Sequence, residues 1–425
     1  MKLVEFVPPT PHPLWKLCPQ MGINDVVVKV NPDLTGLPDP WRLETLSSIV
    51  SRLKSVGLNV VGLEGDPFDM CPIKEYGVRV GENSSSWRKE EQIPLSDSNL
   101  QLHSPTPTQN SNSSREEALE HYRELLESMG KLGIKLLCYN FMVGKGWSRT
   151  GVREVRGGAK ATYFSQKEIT PKESEGSATA SPIEDAGALA EASDRSELNK
   201  TERLVVSHEQ VWENYEYFIK AVMPTAEKCG VRMALHPDDP CLPSLGGYAR
   251  IFGSVEAYDR AYALYPSPSN AITFCQANFK LMFTNDNCHN CSQITNTNFS
   301  AHSASLRLCV KNNPVNPVNP VQTLESAARH FGKRIAFIHI RDVEGTKEDF
   351  TELFHDQGDT DQFALMQVYR ELGLDVPVRG DHVPEMAYDR ELTPEGTPGY
   401  FTLGRLFANG YIKALLQWCD GYKNR

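Results

Sequence analysis

Eight short apolar segments recur along the chain, and each is followed by a segment with helical spacing. A parallel sheet with crossover helices requires this alternation, and eight such units predict a closed (β/α)₈ barrel rather than an open sheet. The predicted strands cover residues 2–7, 25–30, 58–64, 135–141, 231–236, 271–276, 335–340 and 376–381. The predicted helices lie near residues 13–21, 41–56, 115–132, 208–229, 254–264, 322–332, 361–373 and 402–418.

Three polar stretches do not follow this alternation. Because α/β barrels reach this length when their loops carry insertions, we expect residues 1–425 to form one barrel domain. Residues 83–114, 165–200 and 283–321 lack apolar periodicity, which predicts inserted or poorly ordered loops. The stretch at 165–200 follows the strand at 135–141, and we hypothesise that it forms a lid over the barrel mouth.

The overall charge and the cysteine pattern exclude several classes of partner and site. A formal charge of −10 without basic clusters argues against nucleic acids and anionic membranes as partners. No apolar run reaches the ~18 residues that a membrane span needs, and the N-terminus lacks a signal-peptide pattern, so we expect a cytoplasmic protein. The ten cysteines are scattered, which is typical of reduced thiols, and we interpret Cys288 and Cys291 as an incidental loop pair.

Four of the predicted strands end in side chains that bind divalent transition metals. Barrels of this class place their functional groups at the carboxyl ends of the strands. Imidazole, thiolate and carboxylate together suit Mn²⁺, Fe²⁺ or Zn²⁺. The sequence therefore predicts a metal site formed by His236, Cys275, His339 and Asp381.

Polar residues beside these strand ends are candidates for supporting roles. In the segment HPDDP, Asp238 or Asp239 could orient His236 through its second nitrogen or bind a substrate hydroxyl. His382 follows Asp381 where the strand ends, which makes it a candidate base beside the metal.

Several motifs resemble those of the mannonate dehydratase family. The segment CYNFMVGKGWSRT at 138–150 is similar to the family's CYNFMP…WTRT, and RMALHPDDP at 232–240 is similar to RMAVHPDDP. Likewise, IHIR at 338–341 resembles HLR, GDH at 380–382 resembles PDHG, and TPGYFTLGRL at 397–406 resembles NPGYSAIGRL. Outside the three polar stretches, the similarity extends over most of the chain.

The resemblance implies a fold and an activity. Members of the family are TIM barrels of the xylose-isomerase-like group, and they use Mn²⁺ or Fe²⁺ to convert D-mannonate into 2-dehydro-3-deoxy-D-gluconate and water in hexuronate (glucuronate) catabolism. The family's metal ligands correspond to His236, Cys275, His339 and Asp381, and its proton-transfer residues correspond to His382 and Tyr400.

Dehydration of a sugar acid requires a base at C2, an acid at the C3 hydroxyl and a cation that neutralises the developing charge. His382 and Tyr400 are the natural acid–base pair, although the sequence does not identify which of them is the acid and which is the base. We predict that the sugar acid is bound by Asn140, Trp147, Arg149, Asp238, Asp239 and Arg341, with the two arginines near its carboxylate.

Two other functions fit the same residues. A sugar isomerase or epimerase of the same barrel group would also abstract a proton beside a metal-bound oxygen, but its product would keep the mass of the substrate. A non-catalytic sugar-acid binding protein would retain the pocket without turnover. The sequence also leaves open whether the chain forms a homo-oligomer.

Overall fold

A computed structural model describes residues 1–36, 39–77, 111–144, 146–169, 206–284, 323–394 and 396–421. Its strands, in chain order, are β1 (Lys2–Leu3), β2 (Glu5–Val7), β3 (Asp25–Val28), β4 (Asn59–Glu64), β5 (Leu136–Tyr139), β6 (Gly151–Glu154), β7 (Lys160–Ser165), β8 (Arg232–Leu235), β9 (Ser244–Leu245), β10 (Tyr248–Ala249), β11 (Asn270–Cys275), β12 (Ile335–Ile340), β13 (Val343–Thr346), β14 (Asp349–Glu352) and β15 (Pro377–Gly380).

The α-helices alternate with the barrel strands. They are α1 (Leu14–Gln20), α2 (Pro32–Thr35), α3 (Leu43–Ser55), α4 (Cys71–Lys74), α5 (Ser111–Leu132), α6 (Gln166–Ile169), α7 (His208–Cys229), α8 (Val255–Leu264), α9 (Gln276–Met282), α10 (Leu324–Phe331), α11 (Gln362–Glu371), α12 (Asp389–Leu392) and α13 (Thr402–Gly421). Capping residues define the ends of helices such as α7. Ser207 caps α7 by accepting a hydrogen bond from the amide of Gln210, and Gly230 ends that helix in the left-handed conformation.

The main sheet is a parallel barrel. Its strand order is β1-β15-β12-β11-β8-β5-β4-β3-β2, and every pairing in it is parallel. The first predicted strand is divided at Val4 into β1, which pairs with β15, and β2, which pairs with β3. The amide of Val4 donates to the carbonyl of Val378 at 2.9 Å, so the sheet closes on its first strand. The predicted (β/α)₈ barrel is therefore confirmed.

Two apolar regions hold the barrel together. The larger one lies between the sheet and the helices, where residues such as Leu53, Phe218 and Ile338 are fully buried. The smaller one draws its members from the barrel strands without any helical residue, which places it inside the barrel, and it includes Val27, Ala234, Ala271 and Ala336.

A second, antiparallel sheet lies beyond the carboxyl ends of the barrel strands. It has the order β13-β14-β7-β6, and β13 begins only three residues after the end of β12. This sheet was not predicted, because its strands are short and, as β6 illustrates, need not contain a continuous apolar run.

The ends of the predicted polar stretches differ from expectation where the structure describes them. Residues 111–114 begin α5, Ser165 ends β7, and α6 follows immediately, so these short pieces are regular structure. The strand ending at Cys275 passes directly into α9, an additional helix before the predicted one. Most of 83–114, 165–200 and 283–321, including the hypothetical lid, lies outside the described residues. Among the helices that are described, none combines the length and apolar character needed to cross a membrane.

Helix α9 is attached to the barrel by aromatic packing, which makes its contribution to stability testable. Phe279 is fully buried, and its ring lies 4.7 Å from that of Phe274 on β11 and 5.3 Å from that of Tyr258. We expect Phe279→Ala to lower the free energy of unfolding by about 3–5 kcal/mol, because it leaves a cavity. Phe363→Ala, at a position that is 48% exposed, is the control and should change this free energy little in the same denaturant titration. Equal losses in the two variants would contradict this assignment.

Candidate metal and substrate site

The structure brings together the four side chains predicted as metal ligands. His236 follows β8, Cys275 ends β11, His339 lies near the end of β12, and Asp381 follows β15. These four strands are consecutive neighbours in the barrel. One ligand atom from each of the four residues lies within 4.8 Å of all the others.

His339 lacks the partners that a buried polar ring normally has. Its side chain is fully buried, and neither ring nitrogen has a hydrogen-bond partner among the described residues. Burial, reinforced by the positive charge of Arg379, holds the pKa of His339 well below its ordinary value, so the ring is neutral and keeps a nitrogen lone pair. Unpaired polar atoms are costly in a protein interior, and a cation bound at this position would satisfy one of them. This donor set fits a divalent transition metal.

The other ligands also face this centre. The Cys275 sulfur lies 3.7 Å from Oδ2 of Asp381, and Nδ1 of His339 lies 3.8 Å from the same oxygen. Burial raises the pKa of the Cys275 thiol to about 12, so binding a cation through this sulfur would release a proton. The His236 ring is 5.1 Å from the His339 ring, and its Nδ1 contacts the carbonyl oxygen of Pro237 at 2.8 Å. That backbone contact orients His236, so the prediction that Asp238 or Asp239 does so is wrong.

Arg379 and Glu64, which were not predicted as site residues, orient Asp381. Nη2 of Arg379 donates to Oδ1 of Asp381 at 2.9 Å, and its Nε donates to Oε2 of Glu64 at 3.0 Å. Oδ1 of Asp381 is therefore occupied, while Oδ2 faces the thiol and the imidazole. Burial raises the pKa of Asp381, but the positive charges of the buried Arg379 and Arg341 oppose this effect, and that pKa lies well below its ordinary value. Glu64 ends a predicted strand, and that position could have indicated its role.

A second group of metal-ligating atoms overlaps the first. Glu64, Cys138 and His339 also bring one ligand atom each within 4.8 Å of one another. Both carboxylate oxygens of Glu64, however, accept hydrogen bonds from Arg379, whereas Arg379 donates only to Oδ1 of Asp381. Cys138 accepts a hydrogen bond from the hydroxyl of Thr273 at 3.2 Å. The group at Asp381 is therefore the better candidate for a cation.

His382 and Tyr400 form a hydrogen-bonded pair beside the predicted metal ligands. Nε2 of His382 lies 2.9 Å from the hydroxyl oxygen of Tyr400 and 3.9 Å from Oδ1 of Asp381. Burial raises the pKa of Tyr400 well above its ordinary value, so the phenol keeps its proton at neutral pH. The Trp147 ring lies 5.0 Å from the His382 ring and 6.3 Å from the Tyr400 ring, and Trp147 is 39% exposed.

Arg149 and Arg341 belong to a buried ion cluster with Asp239 and Glu352. Arg149 donates to Asp239 through both terminal nitrogens, at 2.8 and 3.0 Å, and to Oε1 of Glu352. Arg341 donates to Asp239 and Glu352 at 2.8 Å each, but its Nη2 is buried without a partner among the described residues. Two cations thus balance two anions. Glu352 was missed because it lies on β14, a strand that the sequence did not reveal.

Asn140 and Asp238 have protein partners of their own. Oδ1 of Asn140 accepts hydrogen bonds from Nζ of Lys74 at 3.0 Å and from the amide of Met142 at 3.1 Å. Oδ2 of Asp238 accepts a hydrogen bond from the amide of Phe252 at 2.7 Å. Burial raises the pKa of Asp238. For both residues, contact with substrate stays a prediction. Cys288 and Cys291 lie outside the described residues.

Comparisons with known proteins point to one family. The family model described as D-mannonate dehydratase (UxuA) matches residues 98–313 and 287–425, which together span 328 of the 425 residues. The chain is 30% identical over 325 residues to a mannonate dehydratase of Lachnoclostridium phytofermentans, covering 71% of this chain and 77% of that protein. It is 25% identical over 408 residues to a mannonate dehydratase of Brachyspira hyodysenteriae, covering 93% and 91% of the two chains.

A solved structure shows the same fold. The crystal structure of mannonate dehydratase from Streptococcus suis serotype 2 aligns with a TM-score of 0.68 at 21% identity, covering 100% of this chain and 95% of that one. The matches to the family model and to the relatives extend across the strand ends that carry the candidate ligands. The chain therefore belongs to the D-mannonate dehydratase family and is an enzyme of the hydro-lyase class.

Proposed function

We propose that this protein removes water from D-mannonate to form 2-dehydro-3-deoxy-D-gluconate, with Mn²⁺ or Fe²⁺ as its cofactor. The observation that carries the proposal is the position of the His382–Tyr400 pair directly beside the converging His236, Cys275, His339 and Asp381 side chains. A dehydratase needs these two features together, because the proton is taken from the carbon next to a carboxylate that a cation must neutralise.

The four converging residues would hold the cation. Two imidazoles, a thiolate and a carboxylate form a mixed donor set that suits Mn²⁺ or Fe²⁺ better than Mg²⁺ or Ca²⁺, which prefer oxygen ligands. When bound, the cation supplies electrostatic stabilisation of the charge that develops on the substrate oxygens. Arg379 and Glu64 keep Asp381 in the orientation that exposes Oδ2.

The His382–Tyr400 pair would carry the two proton transfers. The phenol of Tyr400 is protonated at neutral pH and so has a proton to donate, and Nε2 of His382 lies within hydrogen-bond distance of its oxygen. One group of the pair takes the proton from C2, and the other delivers a proton to the departing C3 hydroxyl. Trp147 borders both rings and would form one wall of the pocket.

The ion cluster and its neighbours would receive the sugar acid. Nη2 of Arg341 carries the N–H groups in this cluster that have no partner among the described residues, so it is the candidate donor to a substrate carboxylate or hydroxyl. Arg149 and Asp239 would support it, and Asn140 and Asp238 would border the site. A cytoplasmic location and a homo-oligomeric state stay predictions.

Removing a ligand should reduce metal affinity. We expect Asp381→Asn, which keeps an oxygen for Arg379 but loses the charge, to weaken Mn²⁺ binding by more than the about 10–100-fold typical of changes around a metal site. Metal content after chelation and reloading is the measurement. Asp375→Asn, at an exposed carboxylate far from the site, is the matched control. Full metal occupancy in the Asp381 variant would contradict the assignment.

The reaction can be tested with a panel of aldonic acids in the presence of Mn²⁺. We expect D-mannonate to give a 2-keto-3-deoxy acid that is lighter than the substrate by one water, because β-elimination removes the C3 hydroxyl. Mass spectrometry of the product separates this outcome from isomerisation or epimerisation, which conserve mass. If only products of unchanged mass appeared, the isomerase or epimerase function would replace the proposed one.

Loss of the imidazole next to Asp381 should separate metal binding from turnover. We expect His382→Ala to retain Mn²⁺ but to lower kcat by about 10²–10⁴-fold, the usual contribution of a positioned acid or base. His330→Ala, at a partly exposed histidine paired with Asp259, is the control and should keep both properties. A His382 variant with undiminished kcat would remove this residue from the mechanism.

A further inference from the structure

We propose that Glu352 is a positioning residue that keeps the proton of neutral His382 on Nδ1, so that Nε2 is the nitrogen that exchanges protons. The inference rests on the proposed function, because it is the dehydration reaction that would use this nitrogen. It concerns a residue outside the barrel strands, on β14 of the antiparallel sheet.

Burial, strand pairing and hydrogen bonds fix the position of the Glu352 side chain. Its side chain is 1% exposed, and Val343 of β13 pairs with it in the antiparallel register. Oε2 accepts a hydrogen bond from Nε of Arg341 at 2.8 Å, while Oε1 lies 2.8 Å from Nδ1 of His382. The carboxylate therefore bridges the ion cluster and the acid–base pair.

The contact between Glu352 and His382 requires a proton on one of the two groups. Burial raises the pKa of Glu352, but the guanidinium groups of Arg341 and Arg149, which donate to its Oε2 and Oε1, oppose this effect and keep the carboxyl group ionised. A carboxylate oxygen and an unprotonated ring nitrogen would repel each other at 2.8 Å, since both would present lone pairs. The proton must therefore be on Nδ1 of His382.

Arg149 does not provide an alternative donor to Nδ1, although its Nη2 lies 3.1 Å from that nitrogen. An arginine has five N–H groups, and five protein contacts already use those of Arg149. Nε donates to Glu352, Nη1 donates to the carbonyl of Ser148 and to Asp239, and Nη2 donates to Asp239 at 3.0 Å and to Glu352 at 2.6 Å. The contacts of Nη2 with the two carboxylates are shorter than its contact with His382 and join opposite charges.

The consequence is a defined tautomer of His382. With Nδ1 protonated, the neutral ring has its lone pair on Nε2, which faces the hydroxyl of Tyr400 at 2.9 Å. The phenol then donates its hydrogen bond to Nε2. Glu352 also offsets the positive charge that His382 gains when Nε2 takes up a proton, as a carboxylate behind a catalytic imidazole does in other enzymes.

Nitrogen NMR tests the tautomer without relying on activity. We would record ¹⁵N spectra of labelled protein in the metal-free and Zn²⁺-loaded states, and assign His382 by comparison with His382→Ala. The expected result is a protonated Nδ1 and an unprotonated Nε2 in the neutral ring. A proton on Nε2 would overturn the proposal even if the protein dehydrates D-mannonate, whereas the expected spectrum without dehydration would leave the tautomer intact and remove the proposed function.

Kinetics of variants test whether Glu352 acts through His382. We expect Glu352→Gln to lower kcat by about 10–100-fold with little change in KM or in metal content, as loss of an orienting partner does. Glu352→Asp keeps the charge and should recover part of that loss. Asp349→Asn on the same strand, where Asp349 pairs with Arg153, is the control and should leave kcat unchanged.

A double-mutant cycle separates positioning from a general structural role. If Glu352 works through His382, adding Glu352→Gln to His382→Ala should cost almost nothing further in kcat, because the group that it positions is already absent. If the kcat losses of the two single variants multiplied in the double variant, Glu352 would act independently of His382, and the proposal would be overturned. Should Glu352→Gln fail to fold, the spectrum of the unsubstituted protein still decides the position of the proton.

Discussion

The candidate site depends on the parallel pairing of neighbouring barrel strands and on their register. Cys275 pairs with His339 across β11 and β12, and His339 pairs with Arg379 across β12 and β15. Because parallel strands end at the same edge of a sheet, side chains at their carboxyl ends come to one level of the barrel. Closure of the sheet at Val4 then keeps β15 beside both β12 and the first strand. A shift in any of these registers would separate the candidate ligands.

The polar layer at this rim is stable because its charges are paired. Arg341, Arg379, Asp239 and Asp381 are all buried, and a buried charge without a partner would be strongly destabilising. Each arginine bridges two carboxylates: Arg379 joins Glu64 and Asp381, and Arg341 joins Asp239 and Glu352. Removing one member of such a network costs about 3–5 kcal/mol, since it leaves the partner charge uncompensated. The same pairing orients the carboxylates and so serves both stability and chemistry.

The candidate site combines three parts of the structure that are distant in sequence. The barrel strands carry the metal-ligating side chains, the antiparallel sheet contributes Glu352, and the segment before α13 contributes Tyr400. His382 contacts a residue from each of these parts, since it lies near Asp381, Glu352 and Tyr400. The candidate metal ligands and the proposed proton-transfer pair are therefore adjacent because of the fold, and the antiparallel sheet contributes to the candidate site through Glu352.

The amino-acid sequence alone determined the barrel and the identity of its chemistry-bearing strand ends. Eight apolar runs followed by amphipathic segments can bury their surfaces best as a parallel sheet covered by helices, and His236, Cys275, His339 and Asp381 stand at visible strand ends. The distribution of the polar partners, by contrast, depends on long-range packing. Glu352 lies on a short polar strand that has no apolar period, the Arg149 contacts join residues about 90 and 200 positions apart, and His236 is oriented by a backbone carbonyl. Hydrogen bonds between residues so far apart depend on long-range packing, which leaves no periodic signal in the sequence.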